Sequence, residues 1–382
     1  MKDKIRKRKR MRGEKVDNIV IFGASNVGLR IKHDFESEGI QVNCFCDNNE
    51  KKRACMLEGL SIISFQELIQ KYKDGCVNAV IIAVKEPDCI VDQIRESRIS
   101  IKTYGVTHEY MQEARSVFSS WKDCLFEIDV NKPRMYYFEY HVSYHCNLKC
   151  KGCGHYSNIA PEEFGDFDKF ESDIYRLKEL FWGIRMIRLM GGEPLLNPRL
   201  PDFCHMARKV FPDADIRIVS NGLLIPSINV EILKAMKENY IGFDITQYPP
   251  TSELKERIEL RCLENEVLYT MSGKVNQFFR TLNINGDSNK KDEHSICGSR
   301  RCHFLENGKI SVCGLPILNK KYKDIIGHNA PIFEQDIMDI YDNSLDGFAI
   351  NDFLSKPIET CRYCDNEHAV WFEWCGNYTT LM

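Results

Sequence analysis

The sequence has no long hydrophobic run. Its longest, Ala79–Val84 (AVIIAV), falls far short of the roughly 18 apolar residues that carry a helix across a bilayer, so no helical membrane span is expected. No apolar segment follows the basic residues before Asp17, so a secretory signal peptide is not expected either. Internal repeats are absent, and low-complexity sequence is confined to the first residues. The chain also lacks an excess of either charge: 52 basic and 55 acidic residues leave −3. That small balance is unevenly spread. Residues 1–15 carry +7, which leaves −10 on the other 367, so a nucleic-acid-binding body is not expected and residues 1–16 read as a solvated, disordered basic arm. With 43% hydrophobic and 28% charged residues, disorder of the whole chain is excluded. At about 150 residues per domain, 382 residues suggest two or three domains.

What the chain has in quantity is cysteine, seventeen in all. The number is odd, the chain is large enough to bury a core without covalent staples, and no secretory signal is expected. A disulfide framework is therefore disfavoured, and clustered thiols in a reducing, cytoplasmic compartment point to metal or iron–sulfur ligation.

The organisation is α/β. Residues 17–125 alternate strands (Asn18–Phe22, Gln41–Phe45, Ala79–Val84) with helices (Val27–Phe35, Ser64–Tyr72), the pattern of a parallel sheet flanked by helices. From Arg134 to residue 286 a second alternation predicts strands at Tyr136–Val142, Met186–Met190, Ile216–Val219, Ile241–Thr246 and Val267–Thr270. Helices are predicted between them at Asp168–Phe181, Pro201–Phe211, Ile228–Glu238 and Ser252–Glu264, which suggests a partial α/β barrel. Residues 287–382 have weak periodicity and six cysteines, as in a domain organised by a bound metal or cluster.

Just after the first barrel strand, Cys146, Cys150 and Cys153 have the spacing C-x3-C-x2-C, and the next cysteine is Cys204. Three thiolates ligate three irons of a cubane and leave the fourth open to a ligand, whereas a zinc knuckle would need a fourth donor. Arg188–Pro194 (RLMGGEP), Ile216–Gly222 (IRIVSNG) and Ile241–Gln247 (IGFDITQ) follow in order, each at the carboxyl end of a predicted strand, where barrel active sites occur.

In this spacing and motif order the sequence resembles the radical S-adenosylmethionine (radical SAM) superfamily. The resemblance implies a (β/α)6 TIM-like partial barrel and a [4Fe–4S] cluster on Cys146, Cys150 and Cys153. It implies S-adenosylmethionine (SAM) held by the turn Gly191-Gly192-Glu193-Pro194, whose carboxylate suits the methionine ammonium, with ribose contacts from Ser220 and Asn221, and Asp244 or Thr246 facing the same pocket. It also implies reductive cleavage of SAM to a 5′-deoxyadenosyl radical that abstracts a hydrogen atom, with an electron donor such as flavodoxin or ferredoxin. Where the superfamily commonly has an aromatic residue before the third cysteine this chain has Gly152, so Tyr156 or His155 would have to supply the adenine contact.

The late cysteines resemble the SPASM and twitch auxiliary-cluster extensions. Only six are present and the C-x2-C-x5-C-x3-C core is missing, so one auxiliary [4Fe–4S] cluster on Cys302, Cys313, Cys361 and Cys364 is expected. Cys297 competes with Cys302. Cys302 is preferred because it and Cys313 bracket an apparent hairpin with a type I′ signal at Asn307-Gly308. A structural zinc ribbon is the alternative. Cys375, and equally Cys204 or Cys262, would serve as hydrogen donor if a substrate radical is returned to a closed shell by a thiol.

The turn Gly23-Ala24-Ser25-Asn26-Val27-Gly28 after the first strand resembles a Rossmann phosphate-binding turn, with Ser25 in place of the middle glycine and Asp47 placed for a ribose hydroxyl. The longer stretch resembles the nucleotide-sugar-binding domain of polysaccharide-locus proteins. The barrel and cysteine-rich region are similar to a radical SAM group associated with glycosyltransferases. Together these imply dehydrogenation or epimerisation of a carbohydrate or nucleotide-sugar. A radical SAM peptide-modifying enzyme and a non-catalytic iron–sulfur sensor are the alternatives.

Overall fold

The computed structural model describes residues 18–53, 55–112, 123–326 and 331–377; the basic arm expected over residues 1–16 lies outside them. The chain divides into two compact units, Met1–Arg134 and Met135–Met382. The cysteine-rich segment shares the second unit with the barrel strands.

In the first unit the elements are β1 (Ile19–Phe22), α1 (Asn26–Ser37), β2 (Val42–Cys46), α2 (Glu50–Arg53), β3 (Met56–Leu57), β4 (Leu60–Ile63), α3 (Phe65–Lys73), β5 (Ala79–Ile82), α4 (Asp88–Glu96), β6 (Lys102–Val106), α5 (His108–Met111) and β7 (Leu125–Glu127). They form one sheet in the order β3-β4-β2-β1-β5-β6-β7. The five inner strands run parallel, and β3 and β7 close the edges antiparallel. This is a doubly wound order that starts in the middle and reverses beside β1, the position where such sheets open a crevice. The central strands β1 and β5 are buried along their whole length, as expected where helices cover both faces. Ser64 caps α3 in a reciprocal capping box with Glu67, which fixes where that helix begins.

The second unit contains β8 (Arg134–Ser143), α6 (Phe167–Leu180), β9 (Gly183–Gly191), α7 (Leu200–Val210), β10 (Asp215–Ser220), α8 (Val230–Glu238), β11 (Gly242–Gln247), α9 (Pro249–Glu253), α10 (Lys255–Glu264), β12 (Tyr269–Lys274), β13 (Gln277–Arg280), α11 (Lys290–Ile296), β14 (Phe304–Glu306), β15 (Lys309–Ser311), α12 (Leu315–Lys321), α13 (Lys323–Ile326), β16 (Met338–Asp339), α14 (Gly347–Leu354) and β17 (Val370–Glu373). Its main sheet has the order β12-β11-β10-β9-β8-β14-β15-β16. Strands β8 to β12 are the expected α/β succession. The sixth parallel position is taken by the first strand of the late hairpin, which pairs with β8 at Phe304↔Glu139. The cysteine-rich region thus enters the barrel sheet rather than folding apart from it.

Alternation along these strands sorts the side chains. Phe138, Tyr140, Val142, Ile187, Leu189, Ile216, Ile218, Phe243 and Ile245 join α6, α7 and α8 in one apolar core. The residues between them point to the opposite, inner face. The hairpin turn has Asn307 at φ +48° and Gly308 at φ +77°, the two positive values a type I′ turn requires. It is pinned from α6: the buried carboxylate of Asp173 accepts the Gly308 N–H at 2.9 Å and the Tyr341 hydroxyl at 2.9 Å. Replacing Asp173 by alanine strands both donors, so Asp173→Ala should lose about 2 kcal/mol in chemical denaturation. Unchanged stability would mean that the hairpin is held by its strand pairing alone.

Candidate active site

The loop after β8 carries Cys146, Cys150 and Cys153, and the turn after β9 is sewn to its start. The Gly192 N–H donates to the Ser143 carbonyl at 2.8 Å and the Glu193 N–H to the His145 carbonyl at 3.0 Å. A side chain at Gly191 would place its Cβ 2.0 Å from the Ser143 carbonyl oxygen, and one at Gly192 would lie 2.0 Å from that of His145. The glycine pair lets two backbone segments touch. The close approach expected toward a ligand is made, at these two Cα atoms, toward the cysteine loop.

Glu193 is fully buried. Its Oε1 accepts the Ser220 hydroxyl at 2.9 Å and the Leu195 N–H at 3.1 Å, and its Oε2 accepts the Asn221 N–H at 2.9 Å. Burial pushes its pKa up to about 7 against the pull of these donors. The sequence reading has this carboxylate facing an ammonium; the structure commits both oxygens to holding the ends of β9 and β10 together. Pro194 opens the short turn Pro194–Leu196 that returns Leu195 to that carboxylate. The residues read as ribose contacts are similarly engaged. The Ser220 hydroxyl also accepts the Gly222 N–H at 2.9 Å, while Asn221 Nδ2 reaches Asn147 Oδ1 at 2.7 Å and Cys146 Sγ at 3.5 Å.

Of the three thiols, Cys146 is the one that receives hydrogen-bond donors among the described residues. Cys146 Sγ also receives the Leu148 N–H at 3.4 Å. Burial raises the Cys146 thiol to about 12 and the Cys150 thiol to about 11. Loading iron therefore has to displace protons from buried sulfur, the usual coupling of metal binding to deprotonation. Tyr248, just beyond β11, is a residue the motifs did not single out. Burial raises its phenol first, and then the three thiols Cys150, Cys153 and Cys146. Thr246 stands against that phenol.

The two residues expected to stand in for an aromatic at position 152 are both engaged within the protein. His155 Nδ1 lies 3.0 Å from His141 Nε2. Tyr156 donates to Asn319 Oδ1 at 2.7 Å. After burial, its phenol senses Cys313, Cys364 and Cys153, which places it between the early and late cysteines.

The late cysteines regroup. Burial raises the Cys313 thiol well above its ordinary value, and Cys364, Cys361 and Cys297 add to the effect. Cys364 is raised to about 12 by burial and then by Cys297 and Cys361. Cys361, raised chiefly by burial, also senses Cys297. The fourth member of this group is Cys297, at the end of α11. Cys302 instead rises to about 12 through burial and then Glu139. The hairpin that Cys302 and Cys313 bracket is formed, and the Cys302 thiol has Glu139 of β8 as its first charged neighbour and Cys297 as its next. The turn carrying Cys361 is held by Asp336, whose carboxylate accepts the Glu359 N–H at 2.9 Å and the Thr360 N–H at 2.7 Å. Among the described residues, no three His, Cys, Asp or Glu side chains already converge on the position of one metal ion.

Of the expected hydrogen donors, Cys204 and Cys262 are fully buried in the apolar core on the helix side of the sheet, away from the inner face. Cys375 is exposed and lies on the Cys150 side of the loop.

The inner face of the sheet is strongly polar. Arg188 Nε pairs with Asp244 at 3.0 Å and its Nη2 with Asp215 at 3.4 Å, Arg217 Nε pairs with Asp215 at 2.9 Å, and the Thr270 hydroxyl donates to Asp244 at 2.6 Å. Glu139 lies on the same face, accepts the Tyr137 hydroxyl at 3.0 Å, and is raised by burial to about 8. It is therefore mostly a neutral acid at pH 7.

In the first unit, Gly23 (φ +119°) and Gly28 form the turn into α1, and a Cβ on Gly28 would lie 2.2 Å from the Gly23 carbonyl oxygen. Ser25 caps α1 by accepting the Gly28 N–H at 3.4 Å. Asp47 accepts the Ala24 N–H at 3.0 Å and pairs with Lys52 at 2.9 Å, so its carboxylate supports the turn.

Residues 140–272 match the family described as the radical SAM superfamily. The GTP 3′,8-cyclase of Syntrophomonas wolfei subsp. wolfei is 27% identical over 132 residues, which cover 32% of this chain and 38% of that protein. The chain thus spans well under half of the curated relative. Among solved structures, BtrN in complex with AdoMet and 2-DOIA is 18% identical, covering 65% of this chain and 97% of that one at a TM-score of 0.39. UDP-D-quinovosamine 4-dehydrogenase from Vibrio fischeri is 17% identical, covering 30% and 93% at a TM-score of 0.24.

Glu139 binds its proton more tightly in the fold, at about 8, than when unfolded, at 4.5. The groups around it are Tyr137, Cys302 and, beyond Tyr137, Arg188. Its contribution favours the fold at low pH and is lost as pH rises through about 8. The stability of Glu139→Gln relative to the parent should therefore increase between about pH 5 and 8, by on the order of 1 kcal/mol per unit at most. A difference that is flat across that range in denaturant titrations would contradict the burial of this acid.

Proposed function

We propose that this chain, whose residues 140–272 are a radical SAM domain, is an enzyme that takes a hydrogen atom from a carbohydrate or nucleotide-sugar. The observation that carries this reading is the loop of Cys146, Cys150 and Cys153, which lies beside Tyr248 and whose first sulfur receives two N–H donors. That donor set fits a [4Fe–4S] cluster with one open iron. Bound there, the cluster and SAM supply the electron and the 5′-deoxyadenosyl radical. The protein orients them and excludes water.

The chain's own residues act around that chemistry. Glu193 keeps the strand ends and the cysteine loop in register, and Asn221 carries that register to Cys146. The inner face, with its linked carboxylates and guanidinium groups, supports a substrate rich in hydroxyls, since each such group both accepts and donates. The doubly wound first unit, with a turn opening α1 beside β1, supports a role in holding the nucleotide part. Cys297, Cys313, Cys361 and Cys364 are the proposed ligands of an auxiliary [4Fe–4S] cluster. A flavodoxin or ferredoxin as electron donor and a cytoplasmic setting belong to the same reading.

Anaerobic reconstitution with iron and sulfide, followed by reductant and SAM, should release 5′-deoxyadenosine. Changing Cys146, Cys150 and Cys153 together to alanine should remove that release entirely. Deuterium from solvent appearing in a recovered nucleotide-sugar would assign epimerisation, whereas a keto product would assign dehydrogenation. Full activity in the triple variant would end the proposal.

A further inference from the structure

The last described residues run against the cysteine loop. Strand β17 pairs antiparallel with β13, Phe278 opposite Phe372. Beyond it the chain lies along the loop: the Lys149 N–H donates to the Gly376 carbonyl at 2.6 Å and the Lys151 N–H to the Cys375 carbonyl at 2.9 Å. A bridge joins Lys149 to Asn377. The contact is shaped on both sides. Gly152 has φ +71°, and a Cβ on it would lie 2.6 Å from Phe372 Cζ, so the Phe372 ring fills the space a side chain would take. A Cβ on Gly376 would lie 2.6 Å from Trp374 Cη2.

Trp374 is the centre of this strap. Its ring stacks on Tyr248, centroids 5.5 Å apart and planes at 18°, and Tyr248 is the ring beside all three thiols. Its indole N–H is buried and has no hydrogen-bond partner. The two residues directly after this tryptophan, Cys375 and Gly376, are paired through their carbonyls with Lys151 and Lys149, on either side of Cys150. A buried unpaired N–H costs about 1–3 kcal/mol. A thiol is a weak acceptor, and an anionic sulfur is a stronger one.

We propose that residues 372–376 are a built part of the cluster site, and that the Trp374 indole N–H donates to the Cys150 sulfur once that sulfur ligates iron, raising the cluster's reduction potential. This rests on the cluster assignment made above. Hydrogen bonds to cluster sulfurs are one of the levers that set such potentials, because a positive dipole end stabilises the added electron. Trp374 is in this sense a positioning and tuning residue, set by a segment more than two hundred residues from the loop it serves.

The test uses the full chain, reconstituted anaerobically, with Trp374→Phe and with 3-benzothienylalanine at position 374. The second replacement keeps the bicyclic ring and exchanges N–H for sulfur, so it preserves the stack on Tyr248. The exposed Trp371 on the same strand, changed to phenylalanine, is the control. Iron and sulfide per chain are measured first. The midpoint potential is then read by EPR titration on the signal that SAM perturbs, which separates this cluster from the auxiliary one. Both position-374 replacements should shift the midpoint to more negative values, and Trp371→Phe should not. Loss of this cluster from the benzothienylalanine protein, with its circular dichroism unchanged, would show the same dependence in stronger form. An unchanged midpoint in that protein at full iron content overturns the inference. Failure of the parent chain to bind iron through Cys146, Cys150 and Cys153 would instead overturn the reading beneath it.

Discussion

One buried carboxylate holds the site together. Glu193 has no solvent exposure and three donors, and those donors come from its own turn and from the end of β10. A buried anion is tolerated only when its oxygens are satisfied, so the strand ends can separate only by exposing or stranding it. The cysteine loop is tied to the same point through the Ser143 and His145 carbonyls. The position of the first thiol thus depends on an acid that does not touch it directly, with Asn221 as the link.

Around that constraint the molecule brings distant segments to the loop. Asn221 reaches it from β10, Tyr248 from the end of β11, and Trp374 from beyond β17. Tyr156 links the other way, from the loop's own end toward Cys313 and Cys364. Its phenol thus senses both cysteine groups, and the late group is part of the barrel unit because β14 has joined the sheet beside β8. That strand pairing also explains the placement of Cys302. The residue two before Phe304 lies at the level of Tyr137, where Glu139 acts on it first and Cys297 next.

The inner face pairs its charges among themselves. Arg188 bridges Asp215 and Asp244, and Arg217 returns to Asp215. Such a chain is rigid, because each side chain already holds its neighbour, and it presents both donors and acceptors without a net excess of either.

Much of the fold was legible in the amino-acid sequence. Buried parallel strands are short apolar runs, so β1, β5, β9, β10 and β11 lie where those runs lie, and the Asn-Gly turn of the late hairpin can take few other shapes. The cysteine spacing around residue 150 was equally legible, since eight residues of one loop carry all three thiols. Strand β12 was read two to four residues too early. Its residues are partly exposed and alternate weakly, so composition marks it poorly. The grouping of Cys297 with Cys313, Cys361 and Cys364, the inward commitment of Glu193 and Ser220, and the approach of Trp374 to the cysteine loop belong to tertiary structure alone. Spacing along the chain constrains groups a few bonds apart. Which of two nearby thiols turns toward a partner sixty residues on, or which indole covers a loop two hundred residues back, is decided by strand pairing and by the need to satisfy every buried donor.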